Sequence, residues 1–109
     1  MAQETVGAFL KDKLGNMARW ATGELKNTDY GVDLEHFVRE RTEMECAYLA
    51  GILSTNSNMI THRDWSGLAR IGEMPRQLLD VFHLIRQRED MHDKFWRYLE
   101  LFATVISND

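Results

Sequence analysis

The chain has little of what disulfide-built or sheet-built folds require. Its 109 residues include one cysteine and one proline. The lone Cys46 excludes an intramolecular disulfide and any thiolate metal cluster, and it fits a reducing compartment. A single proline and seven glycines supply too little turn chemistry for the hairpins of a β-sandwich or barrel. No apolar run approaches the roughly 18 residues that span a bilayer, and Glu4 stands where a secretory leader would carry positive charge. The expectation is a soluble, cytoplasmic chain. Low-complexity tracts, internal repeats and blocks of like charge are missing too, so residues 1–109 read as one folded domain apart from the ends. With 13 basic against 17 acidic residues, net −4, there is no general field for nucleic acid or a membrane surface.

What is present is helical periodicity. A hydrophobic share of 44% can form a core without staples. From Thr5 to Leu25 the residues Val6, Phe9, Leu10, Leu14, Met17, Ala18 and Ala21 recur at three- and four-residue steps, and the polar run over 26–31 closes that helix as a loop. Asp33 is placed to cap a second segment that continues to Leu53. Arg41 and Glu45 interrupt its stripe, so one long helix with two apolar sides is favoured over two that meet near Thr42. Ser54 to Asn58 is a polar stop. Thr61 then begins a short helix with Asp64 in the position of a capping-box acid. Pro75 opens a strongly amphipathic helix bearing Leu78, Leu79, Val81, Phe82 and Ile85. After a charged turn at Arg88-Glu89-Asp90, a last helix aligns Phe95, Leu99, Phe102 and Ile106. The fold class is therefore all-α, an antiparallel bundle of five to six helices. Phe37, Leu49, Ile52, Leu68, Leu78, Phe82, Ile85, Phe95, Leu99 and Phe102 form its expected core.

Enzyme chemistry finds little footing in this pattern. Cys46 lies on an apolar stretch beside Glu45, which disfavours a thiolate nucleophile. Glu89 with His92 forms an E-x-x-H step and Asp33 with His36 a D-x-x-H step, but the paired motifs and bridging acids of a carboxylate bundle are missing. No phosphate loop, dinucleotide fingerprint or serine elbow occurs. The expectation is a non-enzyme with no cofactor and no metal. In the second half, seven basic residues from Arg63 to Arg97 are interleaved with six acids, too neutral for a phosphate-tracking surface.

Charge polarity is more informative. Residues 33–62 carry five acids against Arg39 and Arg41, whereas the stretch after them is weakly positive. Opposite patches on one small body can meet head to tail and build rings or filaments. The alternative is that both are plain solvated faces.

Leu49-Ala50-Gly51-Ile52-Leu53, a polar spacer, Met59-Ile60-Thr61-His62-Arg63-Asp64-Trp65 and Leu68-Ala69-Arg70-Ile71 resemble the second-to-third-helix passage of caspase recruitment domains. The stretches Met74 to Phe82, Arg86-Gln87-Arg88 and Phe95 to Leu99 are similar to that family's fourth and fifth helices. The resemblance covers Asp33 to Phe102, with the helix over 5–25 as an addition. Glu89-Asp90-Met91 stands where the family has Gly-Pro in this turn, the mark of a divergent relative.

The resemblance implies a death-fold Greek key and a homotypic interaction module. Such a module recruits or assembles a protease or a signalling or defence effector. Its partner is another death-fold protein or a further copy of itself, not nucleic acid or membrane. The implied contact surfaces are the acidic Glu40, Glu43 and Glu45 and the basic Arg76, Arg86 and Arg88. The alternative is a small helical regulator or inhibitor of one unrelated protein, anchored through Trp20, Trp65 or Trp96, each of which also suits a core. Because no ligand set has the count to couple metal binding to folding, dialysis against a chelator is expected to leave the melting temperature unchanged. A drop of several degrees would return Glu89 and His92 as ligands.

Overall fold

The computed structural model of the chain describes residues 5–25 and 34–107. The proposed cap at Asp33 and the loop over 26–31 lie outside the described residues, as does the side chain of Ile106. The described residues form seven helices and no strand: α1 Val6–Glu24, α2 Leu34–Glu40, α3 Glu43–Thr55, α4 Ser57–Thr61, α5 Trp65–Ala69, α6 Arg76–Arg86 and α7 Glu89–Ser107. Together they make a helical bundle.

α1 follows its sequence pattern. Thr5 caps it by accepting from the Ala8 N–H at 3.0 Å, and Leu10, Leu14, Met17, Ala18 and Ala21 turn inward. Gly7 lets this helix approach α3 closely: a Cβ at that position would lie 2.7 Å from the Glu43 carbonyl oxygen.

The expected single helix over 33–53 is two helices. Had α2 continued straight, its inward stripe of Leu34 and Val38 would have carried Arg41, Glu45 and Tyr48 into the core. The chain breaks at Thr42, which is extended at ψ 164° and forms a reciprocal capping box with Glu45. The restart shifts the stripe, so that Cys46, Leu49, Ala50 and Leu53 face inward. Arg41 stitches the corner. Its guanidinium lies 4.5 Å from the Phe37 ring centre, and it donates to the Phe37 carbonyl at 3.2 Å and to Glu45 at 3.1 Å.

Three smaller expectations also change. The polar stop after Leu53 contains α4, because Asn56 ends α3 and begins the next turn with hardly a pause. Thr61 ends α4 rather than opening α5. The cap of α5 is Asp64, whose carboxylate accepts from the Gly67 N–H at 3.0 Å. Glu89 lies in the first turn of α7, not in a loop, where its charge suits the helix N-terminus.

The core is centred on α7, which packs on α1, α3, α4 and α6. Phe95 is the hub of an aromatic cluster: Trp65 stacks on it at 5.2 Å, while Phe82 and Trp96 meet it edge-on at 5.2 and 5.3 Å. All ten residues expected in the core are buried. Leu99→Ala is expected to cost about 2–5 kcal/mol through lost burial and a residual cavity, and Thr42→Ala about 1 kcal/mol through the lost cap. Urea unfolding followed by circular dichroism measures both. Equal, negligible losses would contradict this core and corner.

Candidate interaction surfaces

The acidic residues singled out in the sequence converge on one place, the corner between α2 and α3. Each is exposed and each has a local role. Glu40 contacts His36 at 3.0 Å, Glu43 accepts from the Thr5 hydroxyl at 3.2 Å, and Glu45 completes the capping box. Hydrogen bonds from Thr42, its backbone N–H foremost, hold the Glu45 carboxyl below its ordinary range, with Arg41 adding to the effect.

The basic residues do not converge. Arg76 and Arg86 sit at opposite ends of α6, roughly 15 Å apart along its axis. Arg88 lies between α6 and α7 and is engaged within the chain. It grips Asp90 at 2.8 and 2.9 Å and reaches the end of α1 through the Glu24 carboxylate and carbonyl, each at 3.2 Å. The Arg88 hydrogen bonds hold the Asp90 carboxyl below its ordinary range, and Asp90 in turn raises the guanidinium. Arg88 therefore ties α1 to the α6–α7 turn. By contrast, the exposed guanidiniums of Arg76 and Arg86 have no partner among the described residues.

Arg86 borders a shallow, open groove past the C-terminal end of α3, lined also by Met59, His62, Arg63, Asp64 and Trp65. Arg63 has an unusual backbone there, with φ 50°. The Arg63 N–H bonds to the Ile60 carbonyl at 3.1 Å and the Asp64 N–H to the Met59 carbonyl at 2.8 Å. This is the helix-ending motif that ordinarily places glycine in the left-handed position. An arginine there costs about 1 kcal/mol of backbone strain, and its side chain crosses to Asp93 on α7 at 3.0 Å.

Of the three tryptophans, Trp96 is 1% exposed and belongs to the core, while Trp20 and Trp65 are half-buried against it. Two exposed apolar residues were missed in the sequence as surface features: Met44, 82% exposed, and Tyr48, 62% exposed, one turn apart on α3. Their signal was the failed stripe of the second segment, which becomes readable once Thr42-x-x-Glu45 is taken as a helix start.

Cys46 is fully buried and burial pushes its thiol up, which disfavours the nucleophilic thiolate. His92 faces the end of α6, its Nε2 3.1 and 3.0 Å from the Ile85 and Arg86 carbonyls. Among the described residues no three His, Cys, Asp or Glu side chains gather to hold a metal ion, and no helix is long and apolar enough to cross a membrane. No protein-family model, curated protein or solved structure matches the chain.

Glu45 and Asp90 are both held lower in the folded chain than in the unfolded one. They therefore stabilise the fold above the ordinary carboxylate range, and that contribution fades as pH falls through the lowered values. Glu45→Gln keeps the capping hydrogen bonds without the titrating charge. Its melting temperature is expected to lie below the parent's at pH 7, because the neutral amide lacks the charge that Thr42 and Arg41 stabilise, and to fall less steeply below about pH 4.5, so that the two proteins converge in acid. Parallel melting curves for the two proteins across that range would contradict the assignment.

Proposed function

We propose that this protein is a non-enzymatic interaction module of the death-fold type, an antiparallel Greek-key bundle that associates with like domains or with copies of itself. Such association would recruit or assemble a protease or a signalling or defence effector, as the resemblance to caspase recruitment domains implies. The observation that carries the reading is the disposition of charge about α3. The acidic Glu40, Glu43 and Glu45 lie about its start, and Arg86, without a partner among the described residues, borders the surface that follows its end, so the two signs occupy separate places on one body. Surfaces arranged in this way favour head-to-tail contact, with charge setting orientation and partner choice.

The six residues singled out in the sequence contribute unequally to this reading. Glu40 and Arg86 are the strongest members, because neither is tied to another helix by its charged group. Arg88 belongs to the fold through Glu24 and Asp90. Arg76 is free but distant from Arg86.

A second reading keeps the interaction and changes the partner: a regulator that binds one unrelated protein. The exposure of Met44 and Tyr48 favours it, because a large apolar pair within an acidic surface can anchor a foreign target as readily as a copy.

Static light scattering of the full chain separates the two. Association with itself requires a mass that rises with protein concentration and falls with added salt, since screening shortens the Debye length from about 10 Å at 0.1 M to about 3 Å at 1 M. Glu40→Arg is expected to weaken association without changing the helical circular dichroism signal. A monomeric mass at every concentration and salt would overturn assembly of copies and leave association with a different protein.

A further inference from the structure

Met44 and Tyr48 are large apolar side chains left in water at the start of α3. They share one face of the helix, and Glu40, Glu43 and Glu45 lie around them. The other end of α3 leads to a groove of opposite character. Met59 and Trp65 give it an apolar floor, and its polar rim carries Arg63 and Arg86 against the single carboxylate of Asp64. Asp64 is occupied in capping α5, and Arg63 is occupied by Asp93. The Arg86 guanidinium is thus the unmatched charge of the rim.

The two features are complementary in charge, and both expose apolar side chains. One is an exposed methionine–tyrosine pair in an acidic setting, and the other is a shallow, open surface lined by Met59 and Trp65 beside a guanidinium with no partner among the described residues. Met59 and Met44 are flexible side chains suited to adjustable packing. A guanidinium stacks well on a tyrosine ring and also pairs with a carboxylate. The pair is set apart from the groove of its own chain, because Met44 and Tyr48 lie about 16 and 10 Å along α3 before its end at Thr55.

We propose that Met44 and Tyr48 of one copy seat in the groove between Met59, Trp65 and Arg86 of the next, with the acidic corner meeting Arg86. This rests on the homotypic reading above and names the contact through which it acts. The contact is heterologous: each copy offers one pair and one groove, so copies join in a row or close a ring.

Two half-blocked variants test it. Met44→Ser with Tyr48→Ser removes the exposed pair and leaves the groove. Arg86→Glu spoils the groove and leaves the pair. All three positions are exposed, and circular dichroism confirms that each variant folds. Sedimentation velocity is expected to show that the parent forms species larger than a dimer and that each variant alone associates about tenfold more weakly or worse, the loss expected of a central contact. An equimolar mixture of the two is expected to form a dimer that does not extend, because it retains one intact pair and one intact groove. If the parent assembles and both variants assemble equally well, the contact is elsewhere while homotypic association stands. A mixture that stays monomeric beside an assembling parent also overturns this pairing. If the parent itself remains monomeric throughout, the homotypic reading and this contact fail together.

Discussion

Phe95 is the residue through which α5 and α6 meet α7. It is fully buried near the start of α7, and its ring is shared by Trp65 from α5, Phe82 from α6 and its own neighbour Trp96. Large aromatic faces contribute heavily to burial and also favour particular ring orientations. A helix as short as α5, with five residues, has no stability of its own and holds its shape through this contact and its Asp64 cap. The floor of the groove is therefore a by-product of the core: Trp65 stacks on Phe95 on one side and borders the groove on the other.

The second constraint is the break at Thr42. It allows α2 and α3 each to bury an apolar stripe that one straight helix could not bury together, and it pushes the residues left over outward. Those residues are Glu43, Met44, Glu45 and Tyr48. The acidic corner and its exposed apolar pair thus follow from the same re-phasing that completes the core, with Arg41 holding the turn through Phe37 and Glu45. Were this corner to bind a partner, its capping box and the Arg41 contacts would already fix the backbone there, and such preorganisation lowers the entropy lost on association.

Much of this architecture was legible in the sequence. The stripes of α1, α6 and α7 are regular over several turns, and the ten residues expected in the core, six of them on α6 and α7, are all buried. The break between α2 and α3 was written in Thr42-x-x-Glu45, a signal weaker to the eye than the apolar residues on both sides. α4 was hidden because Asn56, Ser57 and Asn58 resemble a loop by composition, although asparagine and serine also begin helices. The proposed interaction surface was only half legible. Consecutive acids at a corner remain neighbours in space, so Glu40, Glu43 and Glu45 stayed together. Arg76, Arg86 and Arg88 were scattered by helix geometry and by the pull of Glu24 and Asp90, which no reading of charge along the chain could assign. The left-handed backbone at Arg63 was equally silent, since glycine is its usual sign.

The central claim is that a core built on α7 holds two complementary surfaces, at the start of α3 and beyond its end, for contact between copies. Hydrogen exchange of the full chain, compared at low and high protein concentration, addresses it most directly, because one experiment reports on every amide. The account predicts slower exchange at high concentration at residues 40–48 and 58–66 and at the end of α6, with α7 unchanged and already the best protected segment. Exchange that is independent of concentration, or protection gained on a different face, would contradict it.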